Sequence, residues 1–209
     1  MDSGITVIGY GLATAPADLL RITMGIGTDA ADVATAVDTV GGLTKAVIAA
    51  LHDAGVGADD IQTSAVSVYP NYGHEPMQVQ GYRASHQLVV TSRELEGFGR
   101  LLNAAVDAAG NDLALDHLAF DVEDKSALQV QARQAAFEDA RARADHLAGL
   151  AGRDIGALDG VEETGSHGPI VPRAAGKGVS LAFGTPAEIA VEPGEESVTV
   201  GLTVRWSWA

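Results

Sequence analysis

The chain has 209 residues, 46% of them apolar and 20% charged, enough for one full hydrophobic core or two small lobes, and this excludes a disordered chain. With 28 Asp and Glu against 13 Lys and Arg, the formal net charge of −15 opposes binding to phosphate backbones and anionic membranes, so nucleic acid is excluded as a partner. The absence of cysteine excludes disulfides, thiolate nucleophiles and sulfur-ligated metals.

Ile5–Tyr10 and Leu19–Ile26 read as strands separated by the turn-rich Ala15-Pro16-Ala17-Asp18, with Leu20, Ile22, Met24 and Ile26 sharing one face. Asp29–Ala54 reads as a helix, capped by Thr28 or Asp29 and ended by Gly55; Gly41 and Gly42 predict a bend or break in its middle. Ile61–Tyr69 and Gln80–Thr91 are predicted strands, joined through a long hairpin loop from Pro70 to Pro76. Thr91 to Glu94 has capping-box spacing and opens a helix to about Ala109, closed by Gly110-Asn111.

Leu113–Val122 follows as a strand. Asp124 then caps the longest helix, to about Ala151, with a stripe of Leu128, Ala132, Ala135, Ala136, Ala140, Leu147, Ala148 and Ala151. The pairs Glu138–Arg141, Asp139–Arg143 and Arg141–Asp145 sit at spacings that meet on a helix surface. Three helices end in an Ala-Gly turn (Gly55, Gly110, Gly152), each with an Asp leading towards a strand, which suggests repeated helix–strand units or a shared turn chemistry.

Residues 164–186, rich in Gly, Pro, Ser and Ala, read as a mobile segment. In the tail, Val198, Val200, Leu202, Val204, Trp206 and Trp208 alternate with Thr199, Gly201, Thr203, Arg205 and Ser207, a long strand with one buried face that closes the fold. The predicted class is α+β, a mostly antiparallel sheet with helices layered on it. It forms one domain, divisible into lobes at about 5–92 and 93–209.

The order of several phrases resembles the SIMPL-domain family, which includes bacterial periplasmic immunogens and proteins linked to oxidative-stress defence. The matching stretches are Ile5 to Gly11 with Pro16 and Asp18, Asp60 to Ser64, and Tyr69 to Tyr72. Further matches are Gly81 to Ala84 with Val89 to Leu95, Asp139 to Ala144, and Pro193 to Glu195 with the final strand. The resemblance implies a domain that assembles into ring-like or channel-like homo-oligomers outside the cytoplasm, with no established activity and no catalytic residues to carry over. Met1 to Gly4 shows no leader, so the chain as it stands reads as cytoplasmic, with a periplasmic or secreted location as the alternative if a leader was removed. No run approaches the length of a membrane span on this reading.

Chemistry-bearing motifs are few. Gly25-Ile26-Gly27-Thr28-Asp29-Ala30 matches a dinucleotide-binding pattern, but no acid is placed for a ribose, and a tight strand-to-helix turn is the better reading. Gly176-Lys177-Gly178 lacks the rest of a phosphate loop. The six histidines form no metal-ligand pair, no nucleophile elbow supports a Ser/His/Asp triad, and no cofactor is implied. His86 lies on an apolar strand face with Tyr82. With acids such as Asp121 or Glu123 it makes the candidate ligand site of an alternative reading, a small-molecule- or metal-binding protein or an uncharacterised enzyme with a site in an oligomer cleft. The favoured reading is a non-enzymatic assembly whose partner is itself. Tyr69, Tyr72 and His74 on the hairpin, and Ile170 and Val171 in the long segment, are the candidate oligomer contacts.

Overall fold

The computed structural model describes residues 4–72, 78–164 and 192–209, and the chain divides into two compact units. The element order is β1 (Gly4–Pro16), β2 (Leu19–Ala30), α1 (Val33–Asp53), β3 (Ile61–Tyr72), β4 (Val79–Ser92), α2 (Phe98–Ala109), β5 (Leu113–Asp121), α3 (Ser126–Leu150), β6 (Ile155–Thr164) and β7 (Glu195–Trp208). The expected α+β class holds, with an antiparallel sheet in each unit. The units are not split near residues 92 and 93. Unit 1 comprises the described residues of Met1–Pro16, Val122–Thr185 and Glu195–Ala209; unit 2, carried mainly by Ala17–Asp121, is inserted into it.

Unit 1 is a three-stranded sheet in the order β1-β7-β6 with α3 laid on one face. β7 is central, and its alternation works as the sequence predicts: Val200, Leu202, Val204 and Trp206 are buried with Val7, Ala13 and Leu128. Trp206 meets Phe137 at a ring separation of 6.1 Å. The buried stripe of α3 is Leu128, Ala132, Ala136, Ala140, Ala144 and Ala148, a strict four-residue repeat. That repeat includes Ala144, leaves Leu147 and Ala151 exposed and Ala135 half-buried, and so corrects three positions of the predicted stripe. Asp139–Arg143 and Arg141–Asp145 pair as expected, whereas Glu138 accepts from Gln134.

Unit 2 is a four-stranded sheet in the order β3-β4-β2-β5. Leu20, Ile22, Met24 and Ile26 of β2, with Ala84, Leu88 and Val90 of β4, bury one face beneath α1 and α2. α1 is capped by Asp32, whose carboxylate accepts from the Thr35 N–H at 2.9 Å, four positions later than Thr28 and three later than Asp29. The reason is that β2 does not turn at Gly25 but continues to Ala30, held by β4 through Tyr82. No break occurs at Gly41-Gly42, because Ala36, Val40, Thr44, Val47 and Leu51 keep one face of the helix packed and override local propensity. By length and mean hydropathy α1 meets the requirement for a membrane span, contrary to the expectation above, yet that stripe is part of a sheet-packed core. The capping box at Thr91 to Glu94 does not open α2 directly: Ser92 Oγ accepts from the Glu94 N–H, and a single tight turn, Leu95–Gly97, precedes the helix.

The three Ala-Gly turns share a positive-φ glycine, but only after Gly55 and Gly152 does the next N–H reach back into the helix, to Leu51 and Ala148, whereas Gly110 opens a short tight turn at Gly110–Asp112. Gly55, Gly110 and Gly152 take φ of 95°, 57° and 66°, the left-handed region that favours glycine after a helix.

Candidate functional site

The helices cover only one face of the sheet in unit 2. Side chains alternate along a strand, so the odd positions of β2 and β4 reach the other face: Thr23, Gly25, Gly27 and Asp29, beside Arg83, Ser85 and Gln87. Here the sequence alternates buried apolar residues (Met24, Ile26) with glycine, which leaves the sheet face bare over two successive positions. A depression of about 270 Å³ lies there, lined by Gly25, Gly27, Arg83, Ser85, Gln87 and Asp116 among others.

Strand pairing explains why it forms. β5 pairs with β2 only as far as Leu113 opposite Ile26, so beyond that rung the turn at residues 110–112 replaces a strand as the rim. A register shift between Thr23 and Met24 accommodates Asp116, whose Oδ2 stands 3.1 Å from where a Cβ on Gly25 would be. One Arg83 terminal nitrogen, Nη2, stands at the same 3.1 Å from the corresponding point over Gly27.

Short polar links hold these walls. Gln87 Nε2 donates to Asp116 Oδ2 at 3.0 Å, and Ser64 Oγ donates to Gln87 Oε1 at 2.9 Å. Arg83 Nη1 donates to Asp29 Oδ2 at 2.9 Å, and Asn71 Nδ2 donates to Asp29 Oδ1 at 2.6 Å. Ser67 and Ser85 share a 2.7 Å hydrogen bond between the two arms. A cation and an anion are therefore held over neighbouring glycines, each tied to a neutral or opposite partner at its own side. Such a surface can bind and orient; among the described residues no cluster of three or more His, Asp or Glu side chains could hold a metal ion.

The predicted site residues fall in different places. His86 lines the depression, but it pairs with Ile26, whose side chain is fully buried, so its ring belongs to the helix-side face. There Nε2 hydrogen-bonds to Thr63 Oγ1 at 2.9 Å. Tyr82 is half-buried against the core of unit 2. Asp121 is not brought to either: it forms an ion pair with Arg21 at 3.6 Å at the other end of β2. Leu19 and Ile26, the β2 partners of Asp121 and His86, are seven residues apart, ~23 Å along the strand at ~3.3 Å per residue. Tyr69 and Tyr72 lie on β3, an edge strand, 66% and 61% exposed. His74, Ile170, Val171 and the Gly176-Lys177-Gly178 stretch lie outside the described residues, as does almost all of segment 164–186.

Arg83, Gln87 and Asp116 carry no motif, and only the pairing of β4, β2 and β5 brings them together. The available signal was the glycine pair. Glycine weakens a strand unless something needs to approach its backbone, and Gly25 and Gly27 occupy alternate positions on one face.

The family model described as SIMPL, protein of unknown function (DUF541), matches residues 5–206. The 26 kDa periplasmic immunogenic protein of Brucella melitensis is 27% identical over 212 residues, covering 96% of this chain and 82% of its own length. Uncharacterized protein YggE of Edwardsiella ictaluri is 28% identical over 153 residues, covering 71% of this chain and 63% of its own. YggE of Escherichia coli is 26% identical over 160 residues, with coverage of 75% and 64%.

Proposed function

Because the chain belongs to the SIMPL family, a family of unknown function, its role has to be argued from its own surfaces, and we propose that it is a non-enzymatic protein that self-associates into a closed homo-oligomer. The observation that carries this reading is the composition of β3. An edge strand offers unpaired backbone groups to another chain, and soluble proteins blunt such edges with charge or proline. β3 carries one such proline, Pro70, and two register shifts, yet no charged side chain, and it sets Val66, Tyr69 and Tyr72, all more than 60% exposed, along one edge of its sheet. Tyrosine is enriched in interface cores, where its ring is buried and its hydroxyl finds a partner. Copies at −15 repel one another, so the contact has to bury apolar area and is strengthened by salt. Closed symmetry follows because a head-to-tail contact that fails to close gives filaments.

Light scattering coupled to size-exclusion chromatography at low and high salt tests the reading. A mass several times that of the chain is expected, reduced to the monomer by Tyr69→Glu with Tyr72→Glu. A monomer at micromolar concentration in both salts would overturn it. The periplasmic designation of the Brucella relative supports the periplasmic location over the cytoplasmic one. Fractionation of cells expressing the full gene decides between them.

The depression over Gly25 and Gly27 favours a second reading, small-molecule binding within unit 2.

A further inference from the structure

We propose that the depression over Gly25 and Gly27 binds a small zwitterion of the α-amino-acid class, its carboxylate on Arg83 and its ammonium on Asp116. The inference rests on the second reading above, that this depression takes a small molecule, and it names the class.

Three features of the geometry select that chemistry. First, the glycines leave no β2 side chain between the two charged groups: the Asp116 carboxylate stands over Gly25 and the Arg83 guanidinium over Gly27, and a strand places those two Cβ directions ~7 Å apart. Second, the walls carry opposite charges that do not neutralise each other. Arg83 bonds Asp29 through Nη1 while Nη2 stands over Gly27; Asp116 uses Oδ2 for Gln87, and no described residue is bonded to its Oδ1. Third, the spacing suits one small molecule. The two groups stand over glycines two residues apart on one strand, so a molecule that bridges them carries its ammonium and carboxylate close together, as on one carbon.

A simple anion fits less well, because Asp112 and Asp116 both line the depression against the single cation Arg83. A simple cation leaves the open donors of Arg83 without an acceptor. The volume of about 270 Å³ corresponds to roughly nine waters at liquid density, ample for a small amino acid. Asp29, Asn71, Gln87 and Ser64 then act as positioning residues, fixing the two charged groups before a ligand arrives.

The test is a titration of the whole chain, followed by amide chemical shifts and by calorimetry, with the common L-amino acids taken one at a time. Alaninamide and lactate serve as the half-charged controls. At least one amino acid is expected to saturate at millimolar concentration or below, with shifts confined to residues around Gly25, Gly27, Ser85 and Ala114. Arg83→Gln and Asp116→Asn should each weaken it about ten-fold or more, and each half-charged control should bind worse by a similar factor. Gly27→Val supplies an independent variant. A Cβ there is tight only against the flexible end of Arg83, at 3.1 Å, and meets the Ala84 carbonyl at an ordinary 3.6 Å, so the fold should persist while binding is lost. If alaninamide or lactate binds as tightly as the amino acids, the zwitterion class is overturned while the small-molecule reading stands. If no compound produces localised saturable shifts, or if binding survives both charge variants, this inference fails; the first of those results removes the small-molecule reading as well.

Discussion

The carbonyl oxygen of Ala132 lies against the Cα of Gly11: a Cβ built on that glycine would stand 2.0 Å from the oxygen. One helical turn later Ala136 meets Gly9 in the same way, at 2.1 Å. A stripe of alanines every fourth residue on α3 thus faces glycines at every second residue on β1, and helix backbone touches strand backbone.

Gly9→Ala and Gly11→Ala are therefore expected to be destructive. The obstacle is backbone on both sides, with no flexible side chain to give way. Each should cost more than the ~1–3 kcal/mol typical of overpacking, read as a lower urea midpoint. Wild-type midpoints would show that α3 stands further from β1.

Gly41→Ala and Gly42→Ala are expected to act oppositely. Nothing lies within 4 Å of the added methyl at either position, and both residues sit inside a continuous helix. Each should stabilise by roughly 0.5–1 kcal/mol, chiefly by restricting the unfolded chain. A loss of stability in either variant would mean that the helix needs a hinge there.

Trp206→Ala should cost ~3–5 kcal/mol, since its side chain is 3% exposed in the core of unit 1. Removing Ser197–Ala209 goes further: β7 is the middle strand, so both β1 and β6 lose their pairing partner. Near-ultraviolet circular dichroism of the truncated chain should lose its tryptophan bands and show no cooperative transition for unit 1. A melting curve like that of the intact chain would refute the core assignment.

Asp32, the cap of α1, and Asp124, the expected cap of α3 that instead stands one residue before the cap position held by Lys125, give a pH dependence with a definite sign. Thr35 holds the Asp32 carboxyl below its ordinary value through its backbone N–H and its hydroxyl; Ser126 does the same for Asp124. A carboxylate with a depressed folded pKa contributes stability that is present above its unfolded value, near ~3.9, and is lost as pH falls through the folded value. Asp32→Ala and Asp124→Ala should lower the thermal midpoint at neutral pH, and the difference from wild type should close in acid below pH ~4. A difference independent of pH would assign the effect to packing.

How much of this is legible in the sequence depends on the range of the interaction that decides it. The alternation from Val198 to Trp208 and the stop signals at Gly55, Gly110 and Gly152 are local, and each appears where the sequence places it. Gly25 to Ala30 reads as a turn because a short glycine motif carries no record of the β4 residues that hold it extended. The Gly41-Gly42 break fails for a related reason: propensity is local, whereas the packing of Val40, Thr44 and Val47 is not. His86 attracts attention as a titratable group on an apolar face, yet its ring nitrogen meets a threonine hydroxyl. Arg83 and Asp116 attract none, because strand register, which no single segment encodes, sets them over adjacent glycines.

The pairing of Gly4 with Ser207 has a consequence for biosynthesis. β1 precedes its strand neighbour among the described residues, β7, by almost two hundred residues of chain. Everything unit 2 needs for its sheet and helices is present once Asp121 has emerged, so that unit can fold during translation. β1 meanwhile waits with its apolar face and an open strand edge. Between the synthesis of β1 and that of β7 the nascent chain thus carries a strand whose partner does not yet exist, and a holdase that shields Ile5 to Ala13 over that interval should raise the yield of soluble protein more than one acting after release.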